Sequence, residues 1–146
     1  MNESVIQQLG ASLQGRLRNT DLPISKCLYP IFEAVVNSIY AIDDRLASDK
    51  SFISTDAKNK LKLNRAEKSD LFGGKTEILS ISIEDNGIGF NDDNFKSFCE
   101  LDSMYRASRG CKGIGRLLWL KCFESVEIDS CYMDIDGVKQ YKVLPL

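Results

Sequence analysis

Apolar residues recur at helical steps in the first third of the chain and alternate with polar ones further on. Val5, Ile6, Leu9, Leu13 and Leu17 are spaced for one face of a helix, so the pattern predicts an amphipathic N-terminal helix over Val5 to Leu17. Such a helix packs on its own domain or on a second copy. After the turn-forming run Asp21-Leu22-Pro23-Ile24-Ser25, a long apolar stretch extends from Cys27 to Leu46. Ile31, Val35, Ile39 and Ile42 repeat at three to four, which predicts a helix with one buried stripe. Pro30 suits its first turn, where the missing N–H is no loss.

The polar, lysine-containing stretch Ala47 to Lys75 ends in Gly73-Gly74 and reads as a surface excursion. Thr76 to Glu84 alternates, with Ile78, Ser80 and Ser82 against Leu79, Ile81 and Ile83, the period of a strand. Asp85-Asn86-Gly87 ends it. Asp92 to Glu100 suits a short helix capped by Asn91 or Asp92, and Leu101 to Cys111 reads as a loop. Ile114 to Phe123 is apolar nearly all round, the pattern of a buried helix. Ser125 to Tyr132 and Val138 to Leu144 are two strands joined at Asp136-Gly137, a hairpin signal. Helix, strand, helix and hairpin in that order predict an α+β fold. No internal repeat or low-complexity tract is present.

Composition narrows the chemistry more than the fold. The 146 residues suit one domain with a modest core. A net charge of -2 gives no direct electrostatic signal for nucleic acid or an anionic membrane. No apolar run approaches the roughly 18 residues that span a bilayer, and the N-terminus lacks a signal-peptide core. The five cysteines are odd in number and form no C-x-x-C pair, so reduced thiols in a cytoplasmic setting are expected. The absence of histidine removes Ser-His-Asp and Cys-His catalysis and most transition-metal sites.

Three segments remain as candidate chemistry. Glu33 and Asn37 are four apart and share one helix face beside apolar neighbours. Burying a carboxylate and an amide is costly without partners; Mg2+ held by the amide oxygen, with a water held by the carboxylate, would satisfy both. Asp85 stands at a strand end before Gly87 and Gly89, where it can accept a hydrogen bond from an exocyclic amine while the glycines admit a flat ring. Gly110-Cys111-Lys112-Gly113-Ile114-Gly115 opens a helix whose N-terminal amides favour anions, with Lys112 and Arg116 adding charge. Each segment has a plainer reading: an exposed polar pair, an ordinary Asp-Asn-Gly turn, a glycine loop. Neither the Walker pattern G-x-x-x-x-G-K-[ST] nor a full dinucleotide fingerprint is present.

In this order the segments resemble the N, G1 and G2 boxes of the GHKL ATPase superfamily of gyrase B subunits, heat-shock chaperones, histidine kinases and MutL proteins. The resemblance runs roughly from Ile31 to Phe123. Glu33-Ala-Val-Val-Asn37-Ser-Ile, Leu101-Asp102-Ser103 and Gly113-Ile-Gly-Arg-Leu-Leu-Trp-Leu-Lys121 are similar to a bacterial chaperone-like ATP-binding group. It implies a Bergerat fold, a two-layer α/β sandwich with helices on one face of a mixed, mostly antiparallel sheet and ATP between the layers. Residues 1–146 would form a single ATP-binding domain, the N-terminal part of a larger or truncated protein.

Carried over, Glu33 would orient or deprotonate the attacking water and Asn37 would ligate Mg2+. Asp85 would read the adenine amine, Gly87, Gly89 and Ala41 would shape the pocket, and Asn91 to Cys111 would be the lid. Gly110, Lys112, Gly113, Ile114, Gly115 and Arg116 would surround the phosphates. The sequence departs from the family where Tyr40-Ala41 replaces a common Asp-Ala pair. No clear counterpart of the later threonine-bearing strand precedes Leu146. The resemblance implies slow ATP hydrolysis used as a conformational switch toward downstream domains, a partner protein or a second copy. The alternatives are a non-catalytic interaction module with vestigial nucleotide binding and a histidine-kinase-type domain. Glu33 speaks against the kinase, because the hydrolytic branches carry a glutamate at that position.

Overall fold

The computed structural model describes residues 13–67, 76–99 and 115–146. In chain order it contains α1 (Leu13–Asn19), α2 (Tyr29–Ser48), β1 (Asn59–Arg65), β2 (Ile78–Asp85), α3 (Asp92–Cys99), α4 (Gly115–Cys122), β3 (Glu127–Met133) and β4 (Lys139–Pro145). Short 3-10 turns at Ile24–Lys26 and Ser54–Asp56 complete it. The fold is α+β, as the element order implies. Of the helix expected over Val5 to Leu17, residues 1–12 lie outside the described residues; the described α1 begins at Leu13 and runs on to Asn19.

The 20-residue α2 organises the rest. Pro30 occupies its first turn and is fully buried. Asp49 closes the other end in extended conformation, its side chain accepting from the Ser51 N–H at 3.0 Å and competing with further helix. α2 packs on α4 and on the β1–β2 pair, and α1 also packs on α4. Ile42, Phe52, Leu117, Leu118 and Trp119 form the buried apolar core. The Trp119 Nε1–H donates to the Pro30 carbonyl at 2.8 Å, so the ring is buried without orphaning its polar atom. Phe90, Phe98 and Trp119 stack in sequence, centroids 5.1 and 6.4 Å apart, and tie α3 to α4.

The expected stripe on α2 is rotated. Ile42 is buried and Ile31 and Val35 are half-buried, but Ile39 is 44% exposed while Ser38 is buried. Two neighbours cover the helix, and the covered face is centred between Ser38 and Ile42, leaving Ile39 on its flank. Spacing fixes a period, not the direction of the partner.

The described strands pair as two separate antiparallel sheets, β1 with β2 and β3 with β4, with no single mixed sheet among them. β1 lies inside the stretch read as a surface excursion. Its register sets Leu61 opposite Ile83 and Leu63 opposite Ile81 on one face, with Lys60 opposite Glu84 and Lys62 opposite Ser82 on the other. The lysines that suggested a solvated surface alternate with Leu61 and Leu63 along a paired strand that is exposed except at Asn64. In β3–β4 burial alternates without a break: Ile128, Ser130, Tyr132, Gln140, Lys142 and Leu144 face inward. Asp134 to Val138 join them, with Gly137 at φ +75° and its N–H donating to the Asp134 carbonyl at 3.1 Å. Asp136-Gly137 is therefore in the turn, as expected.

Candidate functional site

The end of β2 runs into a turn whose backbone is engaged residue by residue. Asp85 Oδ1 accepts the Gly87 N–H at 2.9 Å, an Asx-turn, and the side chain makes no other hydrogen bond among the described residues. Asn86 uses four groups. Its N–H donates to the Lys58 carbonyl at 3.2 Å, and its Nδ2 donates to the Asp56 carbonyl at 2.8 Å. Its Oδ1 accepts from the Lys58 N–H at 2.8 Å, and its carbonyl accepts from Arg45 Nη1 at 2.8 Å. The Ile88 N–H donates to the Ala41 carbonyl at 2.9 Å. The Phe90 N–H donates to Ser130 Oγ at 2.8 Å, and the Phe90 carbonyl accepts from Lys142 Nζ at 3.1 Å.

Both glycines in this turn are required by packing. A Cβ on Gly87 would stand 2.5 Å from the Ala41 carbonyl carbon and 2.6 Å from its Cβ. Gly89 has φ +75°, and a Cβ there would overlap the Cys131 carbonyl oxygen on β3. Asn94, buried at the start of α3, donates from Nδ2 to the Gly89 carbonyl at 3.1 Å. Asn91 Oδ1 accepts the Asn94 N–H at 2.9 Å, so Asn91 is the cap of this helix.

Glu33, Asn37 and Ala41 follow one another at four-residue steps along one edge of α2, each half-buried. Each step rises about 6 Å along the helix axis. Ala41 is the member that touches the Asp85 turn. Among the described residues neither Glu33 nor Asn37 has a hydrogen-bond or ion-pair partner, although no fully buried polar atom is left unsatisfied. The structure thus joins Ala41, Gly87 and Gly89 directly to the Asp85 turn and leaves the Glu33–Asn37 oxygens open.

Gly110, Lys112, Gly113 and Ile114 lie outside the described residues, as does most of the expected lid. Gly115 is the first residue of α4 and Arg116 the second. No cluster of three or more acidic, cysteine or histidine side chains occurs among the described residues. A Mg2+ here would therefore lean on Asn37 and on phosphate and water oxygens, which suits its preference for keeping waters. No described helix is long and apolar enough to cross a membrane.

A cavity of about 450 Å³ opens beside the turn, lined in part by Arg45, Phe52, Asp56, Lys58 and Asn86. It includes none of the residues expected to contact the nucleotide. Arg45 lies with its guanidinium carbon 4.1 Å from the centroid of the buried Phe52 ring and its Nε 3.5 Å from Asp49. On the other side Lys142 lies against the Phe95 and Tyr132 rings and 3.2 Å from Asp92. Burial works to lower the Lys142 pKa, but its bonds to Tyr132 and Asp92 outweigh this and hold it above the usual value.

Arg45, Asn86, Ser130 and Lys142 were not singled out by the sequence. Only Asn86 carried a local signal, as the middle of Asp-Asn-Gly. The other three come from a helix and a hairpin far along the chain, and nothing local marks their convergence. Compared with known proteins, the chain matches no protein-family model, no curated protein and no solved structure.

Proposed function

We propose that this chain is a Mg-ATP-binding domain of the GHKL type with a Bergerat arrangement, hydrolysing ATP slowly as a conformational switch for a larger protein. One observation carries the reading. Ala41 and Gly87, far apart in sequence and both assigned by the resemblance to the nucleotide pocket, touch each other, and the Ile88 N–H donates to the Ala41 carbonyl. The base would lie at this end, against the solvent-facing carboxylate of Asp85. The phosphates would lie toward Asn37 and Glu33, where two half-buried side chains retain oxygens without partners among the described residues. Bound Mg2+ would neutralise phosphate charge there. Asn37 would hold it through its amide oxygen, and Glu33 would orient a water and take its proton.

A second reading is supported by the same turn. Both glycines and one Asp85 oxygen are accounted for by packing and by the Asx-turn, as expected for an interaction module that has kept the fold without its ligand. Calorimetric titration with ATP, with and without Mg2+, separates the two. Saturable, Mg-dependent binding is the expected result; a folded sample that binds nothing would leave the scaffold reading in its place.

A further inference from the structure

Arg45 and Asp85 grip opposite ends of one peptide unit. Its oxygen, the Asn86 carbonyl, accepts from Arg45 Nη1 at 2.8 Å. Its N–H, that of Gly87, donates to Asp85 Oδ1 at 2.9 Å. The peptide is planar, so its carbonyl and N–H cannot turn independently. Rotating the plane to release Arg45 also releases the Asp85 carboxylate. Donor and acceptor bonds on one amide also polarise each other in the same direction.

The rest of the assembly immobilises both ends of this link. Arg45 is set by α2, by the Phe52 ring beneath it and by Asp49. The Asn86 side chain bonds the backbone on either side of Ala57, to Asp56 and Lys58. None of these groups is among the residues assigned to the nucleotide.

We propose that Arg45 and Asn86 are positioning residues for base selection. Through the Asn86–Gly87 peptide they hold the Asp85 carboxylate in the orientation that accepts from an exocyclic amine and repels a carbonyl oxygen. The inference rests on the nucleotide reading above and adds a specificity role to it. Adenine presents an amine where guanine presents an acceptor oxygen, so a loosened carboxylate loses discrimination between the two.

The test compares the wild type with Arg45→Met and Arg45→Lys, titrated with ATP and with GTP. Methionine keeps an apolar stem over Phe52 and deletes the donor; lysine keeps a charge and a donor without the planar fork. Arg45→Met is expected to lower the ATP-to-GTP affinity ratio about tenfold, the scale of one charge-assisted hydrogen bond, with Arg45→Lys between it and the wild type. Partial unfolding lowers both affinities alike and leaves the ratio where it was. An unchanged ratio in Arg45→Met would overturn the proposal.

If the wild type binds neither nucleotide, the ATP reading fails by itself. Amide hydrogen exchange in the ligand-free chain then decides the positioning. Faster exchange at Gly87 in Arg45→Met, with Leu117 and Leu118 unchanged, supports it; unchanged exchange at Gly87 overturns it.

Discussion

The Asp85 turn and the Glu33–Asn37 edge of α2 meet at Ala41, yet they are held in opposite ways. From Asn86 to Phe90 the turn is tied to the Asp56–Lys58 segment before β1 and to α2, α3, β3 and β4 by backbone and side-chain bonds, and its glycines are packed against neighbouring backbone. Four and eight residues back along the helix from Ala41, Asn37 and Glu33 have no hydrogen-bond or ion-pair partner among the described residues. A turn so engaged is formed before any ligand arrives and carries part of the fold's stability. Unpartnered oxygens contribute little to folding and are available to something else. In a site the first kind of residue sets geometry and the second does chemistry, and substitutions should separate them cleanly.

The largest expected effect is on rate. Glu33→Ala should lower ATP turnover, measured as phosphate release, by about 10²- to 10⁴-fold, the usual contribution of a general base. Binding should persist, and stability should stay within about 0.5 kcal/mol, as at other positions without packing or bonding roles. A large loss of stability would place Glu33 with the structural groups and erase the contrast.

Next comes the turn itself. Gly89→Ala should cost about 3 kcal/mol in urea unfolding, combining a left-handed backbone with overlap on β3. Gly137 shares φ +75° but would meet nothing within 4 Å, so Gly137→Ala isolates the backbone part, about 1 kcal/mol. Equal losses at the two positions would mean that β3 does not press on Gly89.

Asp85→Asn sharpens the comparison from within the turn. The amide oxygen can still accept from Gly87, so the fold should survive. ATP affinity should fall by about tenfold or more, since the acceptor for the base amine becomes partly a donor. Equal binding by the two proteins would remove Asp85 from the pocket.

The smallest effect concerns the distal hairpin. Hydrogen bonds from Gln140, Val138 and Asp136 hold the Asp134 carboxyl below its ordinary value of 3.8. A carboxyl whose pKa is lowered on folding contributes stability above its unfolded pKa and loses it as pH falls through the folded one. The β3–β4 turn should therefore loosen only below the ordinary carboxylate pKa. Asp134→Asn, which keeps an acceptor, should flatten that dependence in an acid titration followed by NMR.

Much of the fold was legible because its signals are local. Alternation marked β2, β3 and β4 to within a few residues, and Asn91 was legible as a cap because a cap bonds only its own helix. β1 was not, although Leu61 and Leu63 alternate with lysines, because lysines on an exposed strand resemble those of a solvated loop. Ile39 was placed in the buried stripe because periodicity says which residues share a face and not which neighbours cover it. At the site, Glu33 and Asn37 could be paired from their spacing alone. Asn86 stood within a recognisable turn, but its bonds to Asp56 and Lys58 did not show. Arg45, Ser130 and Lys142 carried no sign of their part.

By itself the sequence determined the period of each element, the turn and cap chemistry, the absence of histidine and the pairing of Glu33 with Asn37. These depend on residues within a turn or two of one another. Only the tertiary structure decided that Gly87 abuts Ala41, that Gly89 abuts Cys131, and that Arg45 reaches Asp85 through a single peptide. Those contacts join positions forty or more residues apart, and long-range geometry follows from how the faces of separate elements cover one another.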